Sequence, residues 1–159
     1  IFESTRKIWS ISQYEKKKMN FSAVRSAIAA KVAGLSGFKE SKHSPDYFGR
    51  TENTVAHLAF GVQLASSTAM DERQRRSIGV FVQTPVRVVF AHRLRPLDIY
   101  PTDYDNSLDS EQNVINAVLA AYSTPNNEFT IKYNGSTREV TDSQEYCIIN
   151  IEFTALHTI

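Results

Sequence analysis

At 159 residues with 42% hydrophobic content, the chain has material for one modest core. A formal net charge of +1 gives no field that gathers nucleic acid or an anionic membrane, and no apolar run approaches the roughly 20 residues of a bilayer-spanning helix. Cys147 is the only cysteine, so an internal disulfide is excluded and a reducing compartment is allowed.

Residues 1–18 precede Met19-Asn-Phe-Ser, which has the look of a natural start. They carry Phe2, Ile8, Trp9, Ile11 and Tyr14, an apolar load unusual for a disordered tail. They read as a partner-docking arm or as an upstream extension. No secretory leader pattern is visible. Residues 19–159 read as one domain.

Helix 1 is predicted over about Ser22–Ala33, capped by Asn20 or Ser22. Val24, Ile28, Val32 and Leu35 recur at helical spacing, and Gly34 and Gly37 supply the stop. Phe38–Asn53 is polar, holds Pro45 and Gly49, and reads as loop. Strand 1 covers about Thr54–Ser66, with Ala56, Leu58, Phe60, Val62 and Leu64 on one face. Strand 2 covers about Ser77–Arg93, with Val86, Val88, Phe90 and His92 on one face. Pro85 has no N–H for a ladder, so an edge or a bulge is expected there. Helix 2 is predicted over about Ser107–Tyr122, capped by Asp105 or Ser107, with Leu108, Ile115, Val118, Leu119 and Tyr122 as its apolar face. Asn134-Gly135 between two strand-like runs predicts a two-residue hairpin joining 129–133 to 136–140. The last strand, Tyr146–Thr158, places Cys147, Ile149, Ile151, Phe153 and Ala155 on one face. The order is α-β-β-α-β-β. It predicts an α+β fold, antiparallel sheet with two helices packed on one face.

Candidate chemistry is thin. Asp98, Asp103, Asp105, Asp109 and Glu111 form an acidic corner. A calcium loop starting at Asp103 needs Gly sixth and Glu twelfth; the chain has Leu108 and Val114 there. Helix capping explains the cluster better than a metal. His43, His57, His92 and His157 lack zinc-like spacing, although sheet pairing can bring two of them together. Cys147 sits in an apolar alternation and reads as a core thiol. No phosphate-cradling glycine loop and no nucleophile elbow occur. No cofactor and no metal are expected. Arg73, Arg75 and Arg76 lie on a charged loop between the two long strands, placed either to contact a partner or simply to be solvated. A competing reading is a small enzyme or ligand-binding module with a site near His57, His92 and the Asp98–Asp105 corner.

From Met19 to Ile159 the chain resembles the tail terminator proteins of long-tailed bacteriophages, which complete the tail at the neck. The element order carries the likeness, with the charged loop and the segment VRVVFAHRLRPLDIYPTDYDNSLDSEQNVINAV, where a strand ends in a basic corner and an Asp-Tyr-Asp turn opens a helix. The resemblance implies a hexameric ring that caps the tail tube and offers the head-joining surface. It implies tail tube and connector proteins as partners, DNA passing through the lumen without sequence-specific binding, and no catalytic activity. It places the protein in the virion tail, assembled in the bacterial host cytoplasm. A connector or head-completion role in the neck is the neighbouring alternative.

Overall fold

The computed structural model describes residues 19–48, 56–70, 80–95, 99–122 and 129–159. The α+β class holds, and the predicted element order fits roughly, with two short strands added. Helix α1 spans Phe21–Ala33, and the Asn20 side chain caps it by accepting from the Ala23 N–H at 2.8 Å. Val24, Ile28 and Val32 are fully buried, as the stripe predicts. Gly37 takes φ +84° and lets the chain turn back beneath α1.

Behind it, part of the predicted loop is regular. Strand β1 (Lys39–Glu40) runs parallel to β2 (Ala59–Leu64), and a 3-10 turn spans Pro45–Tyr47. The sheet is therefore mixed, with one short parallel pair. Strand β2 is shorter than predicted. Leu58 takes φ 58° and Ala59 N–H bonds Ala56 O, so the alternation over 56–58 sits in a turn. β3 is Thr68–Ala69 and β4 is Phe81–Arg93. Helix α2 spans Tyr100–Tyr122, β5 Thr130–Val140 and β6 Tyr146–Thr158.

The sheet order is β1-β2-β4-β6-β5, with β3 also on β4. The two predicted antiparallel pairs are thus one sheet, joined where β4 and β6 match from Phe81↔Thr158 to Arg93↔Tyr146. Both helices pack on one face, over Phe60, Val86, Val88, Phe90, Ile149, Ile151 and Phe153, all essentially inaccessible. The opposite face has a small patch, Phe48, Ala59 and Val89. There Gly61 admits Pro45: a Cβ at Gly61 would fall 2.3 Å from the proline ring.

Pro85 lies in the middle of a central strand, neither at an edge nor at a bulge of the β4–β6 ladder. Its oxygen accepts from Ala65 N–H at 2.9 Å, at the break between β2 and β3. Alternate residues bond to opposite neighbours, so the missing N–H faces that break and not β6.

The Asn134-Gly135 hairpin does not form. β5 runs straight through, and its turn to β6 lies at residues 141–145. Asn134 is the extra residue of a bulge between Tyr133↔Phe153 and Gly135↔Glu152, and Gly135 takes φ +144°. The same two residues suit a bulge as well as a turn. Thirteen residues of β6 offering a continuous partner decide for the bulge. Because side chains alternate, one extra residue re-phases the strand. Ile131 and Tyr133 face the helices before the bulge; Ser136, Arg138 and Val140 face them after it.

Helix α2 also departs from expectation. It begins seven residues early: Asp103 N–H bonds Ile99 O at 2.9 Å, and Pro101 sits in the first turn, where its missing N–H costs nothing. Asp105 and Ser107 are therefore not caps. The buried stripe is Asp103, Ser107, Glu111, Val114 and Val118; Leu108, Ile115 and Leu119 flank it, partly buried. Three polar residues occupy the inward face because each has a partner: Ser107 donates its hydroxyl to Tyr104 O at 2.6 Å, and Asp103 and Glu111 are held by arginines, as described next.

Candidate functional site

Two polar clusters hang from α2. In the first, Arg95 grips Asp103. Its backbone N–H and Nε–H donate to Oδ2 at 2.8 and 3.0 Å, and an Nη2–H donates to Oδ1 at 2.8 Å. This fork ties the end of β4 to the first turn of α2 and holds the Asp103 carboxyl at about 2, against an ordinary 3.8. The stabilisation is present above the ordinary value and fades as pH falls toward the folded one. Asp103→Asn should therefore flatten the acid limb of the stability curve between about pH 4 and pH 2. Denaturation midpoints taken through that window check it; an unchanged limb would mean the fork adds nothing.

His57 and His92 stand beside this fork with ring centroids 4.6 Å apart, edge to face. Two histidines do come together, but with His92 at the end of β4 and His57 in the turn that precedes β2, not by strand pairing. Both are organised by one residue: Arg93 N–H donates to His57 Nδ1 at 3.1 Å, and His92 Nδ1–H donates to Arg93 O at 2.9 Å. The neutral rings then carry a proton on His57 Nε2 and a lone pair on His92 Nε2. Burial lowers the pKa of each; for His57 the neighbouring His92 and Arg93 add to this, while Asp103 opposes it in both. Both Asp103 oxygens are taken by Arg95, so the carboxylate positions a guanidinium instead of orienting an imidazole. Across the ladder His92 faces Cys147, but burial pushes that thiol up and its exposure is nil. It is a core thiol, as its alternation suggested. Asp105 and Asp109 are exposed on α2 and outside the cluster. Asp98 and Arg73, Arg75 and Arg76 lie outside the described residues. Among the described residues, no group of three or more His, Cys, Asp or Glu converges as a metal site would.

Nothing in the spacing announced the second cluster. Glu111, 3% exposed, receives Nε–H and Nη2–H of Arg138, the latter at 2.9 Å, and the hydroxyl of Ser136. Both donors come from β5, and both point at α2 only because of the bulge. A groove of about 470 Å³ runs along them, lined by Glu111 and Arg138 themselves, by Gln112 and Asn116, and by Tyr104, Leu108, Ile115 and Tyr133.

The groove borders a free sheet edge. Val80 and Ile159 exchange both backbone bonds, so odd residues of β6 face β4 and even ones face β5. On β5, the residues opposite those even positions bond inward: Thr130, Lys132, Gly135, Thr137 and Glu139. The backbone groups of Ile131, Tyr133, Ser136, Arg138 and Val140 point outward, where no strand of the described residues lies.

His157, itself buried, forms a third arrangement that reaches the surface at Ser67. Its Nδ1–H donates to Met19 O at 2.9 Å, so Nε2 accepts from Thr84 Oγ1 at 2.9 Å, and Thr84 accepts from Ser67 at 2.7 Å. With Met19 N–H on Thr158 O at 2.8 Å, this pins the start of the domain to the end of β6. No helix of the described residues is long and apolar enough to cross a membrane. Compared with known proteins, the chain matches no family model and no curated protein.

Proposed function

We propose that this chain is a ring-forming structural protein of a bacteriophage tail: a tail terminator that caps the tube and presents the head-joining surface. The observation that carries the reading is the outer edge of β5, 11 residues long, on which no strand of the described residues lies, flanked by a partly apolar groove. A long open edge templates association unless something covers it. A closed ring uses such an edge through a heterologous contact, each copy giving one surface and receiving another. The resemblance in element order and in the strand-to-helix corner supplies the identity of the ring. Tail tube and connector proteins are the proposed partners, with Arg73, Arg75 and Arg76 as a contact. The histidine corner is read as structural, because Arg93 engages one nitrogen of each ring and Arg95 takes both oxygens of Asp103.

Native mass measurement on the purified chain and imaging of purified tails test the proposal. The expected result is a single ring, six copies if the resemblance holds, at the tube end. A lone copy per particle, or none, overturns it.

A further inference from the structure

We infer that the β5 edge and the adjoining flank of α2 receive residues 1–18 of a neighbouring copy as an added strand. The inference rests on the ring reading and names the contact that closes it.

Three observations converge on this occupant. The first is length and position. Met19 bonds Thr158 O on the side of β6 that faces β5, so the residue to which the segment is attached stands in the row of β5. Its 18 residues reach about 60 Å when extended, and the 11 of β5 cover about 36 Å. The segment can therefore leave its own domain and still lie along a neighbour's edge.

The second is pattern. Trp9 and Ile11 alternate with Ser10 and Ser12. A strand added to β5 directs alternate side chains toward the helix layer. There the groove offers Tyr104, Leu108, Ile115 and Tyr133.

The third is charge. Residues 1–18 hold five basic side chains, Arg6, Lys7, Lys16, Lys17 and Lys18, against Glu3 and Glu15. Helix α2 holds Asp103, Asp105, Asp109 and Glu111 and no Lys or Arg. Arg95 and Arg138 satisfy Asp103 and Glu111. Asp105 and Asp109 stay exposed, each three residues before a groove-lining position, Leu108 and Gln112. A basic strand along β5 meets them.

The test mixes isotope-light and isotope-heavy full chains carrying a benzoylphenylalanine photocrosslinker at Ile11, and maps the products by mass. Mixed-isotope links from the segment to Thr130–Val140 or to α2 are expected. Links only within one copy, or none to β5 or α2, overturn the inference. Tyr133→Pro removes an outward N–H and leaves the inward ladder of β5 in place. With the melting point retained, its mixed links should fall to background; undiminished links overturn the inference. If that variant does not fold, deletion of residues 1–18 decides: the ring should dissociate into folded single copies. A ring that persists without the segment overturns this inference and leaves the ring reading standing. A full chain that is itself a single copy overturns both.

Discussion

Phe153→Ala should cost about 3–5 kcal/mol of unfolding free energy. Phe153 is fully buried in β6, opposite Val86 of β4 and Tyr133 of β5, whose ring meets it at 6.0 Å and 63°. Transfer of a buried aromatic side chain accounts for roughly 1.5–3 kcal/mol. The rest comes from the cavity, which a strand bonded on both sides cannot collapse. Urea denaturation with an unchanged slope is the measurement. A loss below about 1 kcal/mol would mean that this face of β6 is not the core.

Arg138→Ala should cost about 3 kcal/mol, the lower end for breaking a buried pair, since the arginine side chain is 41% exposed and the glutamate side chain only 4%. The damage comes from what remains. Glu111 keeps the Ser136 hydroxyl and loses both guanidinium donors, and its carboxylate stays in the space between α2 and β5. Arg138→Lys should recover only part, because an ammonium cannot reproduce the planar fork. Replacing both partners, Glu111→Leu with Arg138→Leu, should be milder than Arg138→Ala alone, because no charge is then stranded. Equal losses in the double and single variants would show that packing by the arginine stem, not the charge pair, is what the site needs.

Those two sites differ in how far the sequence revealed them. The environment of Phe153 was legible: Cys147 to Ala155 alternate without a break, and a half-buried strand imposes that period. Val24, Ile28 and Val32 behind Asn20 were legible for the same reason, since stripe and cap are both local. The pairing of Glu111 with Arg138 was not. The residues are 27 apart, and the arginine faces the helix only after the bulge has re-phased β5. Reading Asn134-Gly135 as a hairpin turn hid that phase change and hid the length of β5 at the edge of the described sheet with it. The start of α2 was obscured by a tertiary cause. Asp103 looked like a residue ahead of a helix, yet it lies within the first turn, held by Arg95 from the end of β4. The histidine corner was half legible: alternation put His92 on a strand, but His57, also read as strand, sits in the turn before β2, where the Arg93 N–H holds its ring edge to face with that of His92.

The position of β6 governs when this protein can fold at all. β6 follows every other strand in the chain and yet lies inside the sheet, between β4 and β5. During synthesis β2, β3 and β4 emerge with one flank of β4 unmatched, and they wait through α2 and β5 before residue 158 arrives to pair with residue 81. Nucleation by such distant pairing is slow, because loop closure precedes the contacts that reward it. The nascent chain therefore passes a long interval with an apolar strand open to self-association, a hazard for any protein made at high levels. Completion of the last strand is what closes the sheet: a chain cut short before it has no centre, and β4 and β5 have no partner between them.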